Sequence, residues 1–384
     1  MTYQISTEDG LRNRKLYLKK SRRIVVKVGS AVLTGQKGLD RQVMGNLARQ
    51  LSALRHAGRD IILVSSGAVA AGRRKLDLGD RSISLKEKQA VAAVGQSNLM
   101  RTYEDIFDQF DQKVAQVLLT HDDLSHRDRY LNVRNTIFTL LDWGLIPIIN
   151  ENDTVSVREL RFGDNDTLGA MITNLIEADL FVCLTDVDAL YTGNPLTDKN
   201  ALKLSTVAKV TKEVEDMAGN VFSALGSGGM RSKILAAKMV AARGGASFIG
   251  PGRLPDTLDR LFGGEEVGTF FLPSDEKMHS RKHWIAYTLR PRGFLVLDQG
   301  ACRALLKGGK SLLPIGIREV RGKFGVGAPV QCLDEENRPI AAGLVNYRSG
   351  EIEKICGLQT SQIAEVLGYK DSDEVVHRDN LVLL

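Results

Sequence analysis

The sequence has few of the features that mark secreted, membrane or zinc-binding proteins. Its 384 residues include only four cysteines, which lie far apart and form no CxxC pair, so neither a disulfide framework nor a zinc site of that pattern is predicted. No apolar run reaches the roughly 18 residues that span a bilayer, and the N-terminus lacks the apolar segment of a secretory signal. We expect a protein of the reducing cytoplasm without membrane association.

An excess of charge of one sign is also lacking. The formal net charge is only +6, which permits anionic substrates or RNA without indicating either. A Walker A sequence, G-x-x-x-x-G-K-[ST], is absent, which argues against an ordinary P-loop NTPase. Apolar material, in contrast, is plentiful, because 43% of the residues are hydrophobic, and the length allows two or three domains.

Short apolar runs alternate with helical patterns over most of the chain. The runs RIVVKVGS, DIILVSSGA, VAQVLLT, LIPIIN and LFVCLTD predict buried strands. Between them, patterns such as Leu47, Leu51 and Leu54 place apolar residues on one helical face. Repeated β-α-β units with continuous apolar strands predict an α/β fold, in which a mostly parallel sheet is covered by helices on both sides.

The composition changes near Pro273, where a polar stretch predicts a linker. Short strands with glycine turns follow, and this pattern is typical of a small β-rich domain. We therefore predict four segments, namely a loose basic N-terminal tail over 1–20, the α/β domain over 21–274, a linker over 275–288 and the β-rich domain over 289–372.

Polar clusters follow several of the predicted strands, at the sheet edge where ligands of such folds bind. Lys27 lies within an apolar strand, where an uncompensated ammonium is costly, and Gly29 and Ser30 then open a loop that an anion can approach closely. The alternative is a lysine whose head group reaches the solvent at the strand end. Ser66 and Gly67 begin a helix in a way that suits a carboxylate, although Ser-Gly is also common in ordinary turns.

A third cluster combines two acidic segments. Asp164, Asn165 and Asp166 stand in a row before an apolar helix, and the run from Asn150 to Asp153 ends the preceding strand. One of these side chains can cap the helix. Mutual repulsion of so many carboxylates calls for a cation nearby, which could be a lysine, a metal ion or the ammonium group of a ligand.

The fourth cluster is the glycine-rich sequence GSGGMRSK, which ends at Lys233. Backbone amides of such a loop can surround phosphates, and a lysine at a helix start adds to the positive end of the helix dipole. The alternative is a flexible hinge. Thr185 and Asp186 end a further strand and could hold a ribose or an adenine edge.

In chain order, the segments VVKVGSAVLTG, VSSGAVAAG, INENDTV, FGDNDTLGA, LTDVDALYTGNP and GSGGMRSKILAA resemble the glutamate 5-kinases, a branch of the amino acid kinase family. The segment that starts at WIAYTLRPRG resembles a PUA domain, a module often found on RNA-modifying enzymes. The resemblance implies a three-layer α/β/α sandwich followed by a small β-rich PUA domain.

The resemblance also implies an activity and its partners. The reaction would be ATP-dependent phosphorylation of the side-chain carboxylate of L-glutamate, the first step of proline synthesis from glutamate. Mg²⁺ would be held mainly by the ATP phosphates, with no metal ligand from the protein. Proline would act as a feedback inhibitor, the chain would assemble as a homodimer or homotetramer, and the PUA domain permits RNA binding.

Residue roles follow from the resemblance motif by motif. Lys27 matches the lysine that contacts the ATP phosphates, and Asp166 is placed to orient Lys27 and Lys233, which together would act in catalysis. Substrate contacts would come from Ser66, Gly67, Asn150, Asp153, Asp164 and Asn165. Nucleotide contacts would come from Lys27, Thr185, Asp186, Ser227, Gly228, Gly229, Met230, Arg231, Ser232 and Lys233. Serine stands here at both positions of the loop where the family usually has threonine.

The chemistry that this implies needs no general base. The side-chain carboxylate of glutamate has a pKa of about 4.3 and is already ionised near neutral pH. Catalysis should therefore consist of positioning and charge neutralisation during in-line phosphoryl transfer. Two alternatives stay open from the sequence: another kinase of the same family, acting on aspartate, N-acetylglutamate, carbamate or UMP, or an RNA-binding protein with a degenerate kinase half.

Overall fold

A computed structural model describes residues 3, 5–35, 38–79, 81–156, 165–195, 197–218, 229–274, 278 and 280–384. The chain divides into two units, residues 1–277 and residues 278–384. The strands of the first unit are β1 (Arg23–Val28), β2 (Thr34–Gly35), β3 (Gly38–Leu39), β4 (Asp60–Ser65), β5 (Val114–Leu119), β6 (Ile146–Glu151), β7 (Leu180–Thr185), β8 (Leu190–Tyr191), β9 (Lys203–Leu204), β10 (Thr206–Val207), β11 (Ala246–Pro251) and β12 (Thr269–Phe271).

The helices of the first unit lie mostly between these strands. They are α1 (Thr7–Lys20), α2 (Ser30–Leu33), α3 (Arg41–His56), α4 (Ala68–Lys75), α5 (Leu85–Phe107), α6 (His121–Ser125), α7 (Arg127–Asp142), α8 (Asn165–Leu175), α9 (Lys212–Met217), α10 (Met230–Ala241) and α11 (Thr257–Gly263). Some of them start at a side-chain cap; at the start of α3, for example, the Asp40 side chain accepts a hydrogen bond from the backbone of Val43.

Eight strands form one sheet in the order β10-β12-β11-β7-β1-β4-β6-β5. Every pair in it is parallel except β11 with β12. The carboxyl ends of β1, β4, β6 and β7 therefore meet at one edge, which is where the polar clusters were predicted to gather. The mostly parallel sheet confirms the fold class expected from the apolar runs.

The two faces of the central strand β1 carry different side chains. Ile24, Val26 and Val28 alternate into a core shared with α3 and α5. Lys27 lies on the opposite face, where α8 packs against β1. Helices thus cover both faces of the sheet, and this arrangement is the predicted three-layer sandwich.

The expectation of a loose N-terminal tail is wrong. Residues Thr7–Lys20 form α1, which starts at Ser6, whose side chain accepts a hydrogen bond from the backbone of Asp9. Its buried residues Gly10, Arg14 and Leu18 are four apart and line one helical face. The Arg14 guanidinium donates to the carbonyl of Val267 over 2.8 Å, so a basic side chain is part of the docked surface.

The second unit is built around a five-stranded sheet. Its elements are α12 (Ser280–His283), a π-helical turn (Trp284–Thr288), β13 (Gly293–Leu297), α13 (Gln299–Gly308), β14 (Ile317–Arg321), β15 (Pro329–Leu333), β16 (Pro339–Leu344), α14 (Ser349–Ile355), α15 (Ile363–Leu367) and β17 (Leu381–Leu383). The strand order is β14-β13-β15-β16-β17, with only β13 and β15 parallel. A separate β-rich second domain was predicted, and the fold class is confirmed; the residue boundaries stay a prediction.

Part of the predicted linker belongs to this second unit. Ile285 of the π-helical turn is buried together with Ala342 and Val382. Among the helices that the structure describes in either unit, none combines the length and the apolar character needed to cross a bilayer.

Candidate active site

A buried carboxylate joins two lysines from distant parts of the chain. Lys27 Nζ lies 2.5 Å from Asp166 Oδ1, and Lys233 Nζ lies 3.1 Å from Asp166 Oδ2. The Asp166 side chain is fully buried and each lysine side chain is 7% exposed. The three residues predicted to be catalytic therefore form one cluster, on the face of the sheet that α8 and α10 cover.

Close packing of α8 against the sheet brings Asp166 within contact distance of Lys27. A Cβ added at Gly169 would lie 2.6 Å from Cε2 of Phe181 in β7 and 3.4 Å from Cβ of Lys27 in β1. Only a glycine lets α8 approach the sheet this closely, and Asp166 lies in the first turn of the same helix. Gly169, in the segment GDNDTLGA, thus helps to bring the Asp166 carboxylate to Lys27.

The electrostatics of this cluster keep Asp166 ionised. Burial alone raises the pKa of Asp166, but the charges of Lys27 and Lys233 and a hydrogen bond from Ser232 outweigh it and hold the pKa well below its usual range. Asp166 is therefore ionised at neutral pH. Two ammonium groups held this close together can bind an anion such as a phosphate.

Two further side chains donate hydrogen bonds to Asp166. The Ser232 hydroxyl donates to Asp166 Oδ2 over 2.7 Å and is also 2.8 Å from the carbonyl of Gly229. The Cys183 thiol lies 3.3 Å from Asp166 Oδ1. Burial, followed by the Asp166 charge, raises the pKa of Cys183 to about 12, so the thiol stays protonated as a donor.

A cluster of amide and hydroxyl groups lies next along the same edge. Asn165 Nδ2 donates to Ser66 Oγ over 2.8 Å and to Asn150 Oδ1 over 3.1 Å. Gly67 follows Ser66 with φ at 105°, a left-handed conformation that favours glycine, and it starts α4. Three segments that are far apart in the sequence thus bring together residues that were predicted to contact the substrate.

Asp153 lies in the turn after β6 and lines a cavity of about 700 Å³. Gln96 and Asn152 line the same cavity, and Gln96 accepts a hydrogen bond from Asn150. Gln96 was missed by the sequence analysis, because it lies inside a helical pattern with no motif around it. The cavity extends along α5, with Arg101 and Glu104 also on its wall.

The described residues that were predicted to bind the nucleotide lie at the end of β7 and at the start of α10. Thr185 is buried at the end of β7 and donates to Asp186 Oδ1 over 2.9 Å, while Asp186 is exposed. Gly229 precedes the first turn of α10, which contains the remaining predicted loop residues: Met230, Arg231, Ser232 and Lys233. The predicted site residues Asp164, Ser227 and Gly228 lie outside the described residues.

The site suits phosphate groups better than a bare metal ion. Both oxygens of Asp166 already contact lysines. Within the part of the chain that the structure describes, no three His, Cys, Asp or Glu side chains are grouped to hold a metal. The lysines on both oxygens of Asp166 are what favours an anionic ligand at this carboxylate.

Comparisons with known proteins agree with this architecture. Residues 22–249 match the model of the amino acid kinase family, and residues 293–367 match the model of the PUA domain. A carbamate kinase from Giardia lamblia bound to AMP-PNP aligns with a TM-score of 0.49 and 18% sequence identity, covering 67% of this chain and all of that one. The two family models alone identify the fold as that of an amino acid kinase followed by a PUA domain.

Sequence relatives are much closer. A glutamate 5-kinase from Desulfotalea psychrophila is 58% identical over 372 residues, which are 97% of this chain and 99% of the relative. A glutamate 5-kinase from Citrifermentans bemidjiense is 52% identical, with 97% of this chain and the whole relative covered. The chain therefore belongs to the amino acid kinase family and, within it, to the glutamate 5-kinases. This membership confirms the resemblance inferred from the motifs.

Proposed function

We propose that this chain transfers the terminal phosphoryl group of ATP to the side-chain carboxylate of L-glutamate, giving L-glutamyl 5-phosphate and ADP. The observation that carries the proposal is the buried Lys27–Asp166–Lys233 cluster at the carboxyl edge of the sheet. The relatives that share nearly the whole chain are named for this activity. An intact cluster of this kind argues against a degenerate kinase half.

The two lysines would neutralise the charge that repels an anionic nucleophile from a triphosphate. The glutamate carboxylate, with a pKa of about 4.3, is ionised near neutral pH and needs no base to remove a proton. Lys27 and Lys233 approach Asp166 from different elements, β1 and α10. Held in this way, they are preorganised to stabilise the negative charge of the transferring phosphoryl group.

The neighbouring residues divide between the two substrates. Ser66, Gly67, Asn150 and Asn165 would contact glutamate, and Asp153 would pair with its ammonium group. Thr185 and Asp186, at the end of β7, and the start of α10 would contact the nucleotide. Mg²⁺, bridging the ATP phosphates, would add further neutralisation of charge.

Trapping the product with hydroxylamine tests the reaction. An acyl phosphate reacts with hydroxylamine to give a hydroxamate, so incubation with ATP, Mg²⁺ and L-glutamate should yield the glutamyl hydroxamate. Aspartate and N-acetylglutamate serve as matched acceptors, and both should give far less product. Equal or greater product from either of them would assign a different acceptor and overturn the proposal.

Regulation and assembly are part of the same proposal. As a glutamate 5-kinase, the chain would supply the first step of proline synthesis in the cytoplasm, as a homodimer or homotetramer. Proline should inhibit by competing with glutamate, so its effect should weaken as the glutamate concentration rises. Activity that is unchanged in millimolar proline would remove this regulation and leave the catalytic proposal in place.

A further inference from the structure

The amide cluster has a hydrogen-bond direction that the backbone determines. The backbone N–H of Glu151 can only donate, and it lies 2.9 Å from Asn150 Oδ1. This contact identifies the oxygen of the Asn150 carboxamide, an assignment that the side chain alone would leave ambiguous. Its nitrogen, Nδ2, must therefore point the other way, where it donates to Gln96 Oε1 over 2.9 Å.

The same direction continues to Ser66. Asn150 Oδ1 accepts from Asn165 Nδ2 over 3.1 Å, which in turn fixes the orientation of the Asn165 carboxamide. Asn165 Nδ2 then donates to Ser66 Oγ over 2.8 Å. Since the Ser66 oxygen receives a hydrogen here, its own hydroxyl hydrogen is left to donate to a ligand.

Gln96 is held in place by an unusually close contact between two helices. A Cβ added at Gly95 would lie 1.7 Å from the backbone oxygen of Ala68, and one added at Gly72 would lie 1.9 Å from the backbone oxygen of Val91. The backbones of α4 and α5 therefore touch directly beside Gln96. Because α4 begins immediately after Ser66 and Gly67, this contact fixes Gln96 relative to the Ser66 turn.

We propose that Gln96 is a positioning residue for the amino acid substrate. By accepting from Asn150 Nδ2, it holds in place the carboxamide whose direction the Glu151 N–H sets, and so keeps the chain of groups Gln96–Asn150–Asn165–Ser66 aligned for the Ser66 hydroxyl to donate to a carboxylate of the bound amino acid. Gln96 acts through Asn150 and Asn165. This inference rests on the proposed function, because it concerns the glutamate end of the same site.

The test compares two replacements of Gln96 in the full-length chain. Gln96→Met keeps the length of the side chain but cannot accept the hydrogen bond, whereas Gln96→Glu still accepts it. We expect Gln96→Met to raise the KM for glutamate about tenfold, the size of one hydrogen bond, with the KM for ATP unchanged. Gln96→Glu should recover most of that loss. The control is Gln109→Met, since Gln109 is exposed and its side chain donates to the carbonyl of Asp105, one turn earlier.

Three other results would overturn the inference. A wild-type glutamate KM in Gln96→Met would do so, as would equal rises of both KM values or a Gln96→Glu variant no better than Gln96→Met. Thermal unfolding of each variant shows whether the chain is folded, and Gln96→Glu supplies the comparison if Gln96→Met is not. If the wild type instead phosphorylates another acceptor, the proposed function fails, and the same KM comparison with that acceptor still tests Gln96.

Discussion

Asp166 is the residue through which the candidate site acts as a unit. It is buried, ionised and in contact with both lysines, so removal of any one of the three charges changes the surroundings of the other two. Nearby exposed ion pairs differ in this respect. Lys238, on the same helix as Lys233, pairs with Glu215 at the protein surface, where such pairs contribute little.

Replacement of Lys233 tests the catalytic assignment. Lys233→Ala should lower kcat by roughly 10²–10³, the loss expected when one preorganised charge-stabilising group is removed. Lys238→Ala is the matched control, because it removes a lysine from α10 whose side chain is 45% exposed. Steady-state kinetics with both variants decide the matter, and a kcat for Lys233→Ala equal to that of the wild type would exclude the role.

Replacement of Asp166 should produce a pH-dependent loss of stability. The pKa of Asp166 is depressed in the folded chain, so its contribution is present above its unfolded pKa of about 4 and is lost as the pH falls towards the folded value. Asp166→Asn should lower the free energy of unfolding by about 3 kcal/mol at pH 6, because two buried ammonium groups lose their partner.

The free energies of unfolding of the wild type and Asp166→Asn should then become closer by about 1 kcal/mol between pH 6 and pH 3. Below the unfolded pKa, uptake of one proton on unfolding changes this free energy by about 1.4 kcal/mol per pH unit. Urea unfolding at both pH values measures it. A difference that grows on acidification would have the wrong sign and would contradict a depressed pKa.

Asp153 is the residue assigned to the ammonium group of glutamate. Asp153→Ala should raise the KM for glutamate far more than the KM for ATP, because only the amino acid would lose a charged partner. Asp142→Ala, an exposed position at the end of α7, serves as the control. If the ATP KM alone rises, Asp153 belongs to the nucleotide end of the site.

At the scale of elements, α1 shows how a charged segment can be a fixed part of the sandwich. A Cβ added at Gly10 would lie 2.7 Å from Oγ1 and 2.9 Å from Cβ of Thr206 in β10. At Gly45, inside α3, such a Cβ would meet no described atom within 4 Å beyond its chain neighbours and the backbone of its own helix. The two glycines are both helical, so they differ in packing rather than in backbone preference.

The same substitution should therefore have opposite effects at these positions. Gly45→Ala should raise the free energy of unfolding by up to about 1 kcal/mol, the gain in helix propensity. Gly10→Ala should lower it, because Thr206 is too short to move aside without displacing α1 or β10. Thermal or urea unfolding of both variants measures the sign, and stabilisation by Gly10→Ala would show that α1 is not docked in this way.

The elements that the sequence predicted well are those with continuous apolar runs, such as β1, β4 and β7. Lys27 and Lys233 were predicted as candidate site residues because each is a charge next to an apolar segment and a glycine loop. Their shared contact with Asp166 could not be predicted from the sequence, because it depends on how closely Gly169 lets α8 approach β1. Arg14 and Gln96 were not predicted, for a common reason. Polar side chains on a helix ordinarily face solvent, and both the burial of Arg14 and the hydrogen bond of Gln96 depend on residues of other elements.

At the scale of the whole molecule, each of the two units has a large apolar core of its own among the described residues. The core of the first unit includes Val26, Leu63 and Val182, and that of the second includes Leu295, Cys332 and Tyr347. No residue is shared between these two clusters. Each unit therefore has the apolar material for its own cooperative transition.

Calorimetry should resolve this organisation. We expect two unfolding transitions, or a calorimetric enthalpy larger than the van't Hoff enthalpy of a single one. Tyr347→Ala, which empties a fully buried position in the second core, should lower one transition temperature and leave the other in place. A single transition that moves as a whole in this variant would contradict independent unfolding.

The glycine contact between α4 and α5 has a mechanical consequence. Where two backbones touch at Gly72 and Gly95, neither helix can slide or turn past the other. A shift of the Ser66 turn when an amino acid binds would thus be carried into α5, which is 23 residues and about 34 Å long. Binding of the amino acid beside the Ser66 turn would therefore displace α5 as far as its last residue, Phe107, which is far from the reacting carboxylate.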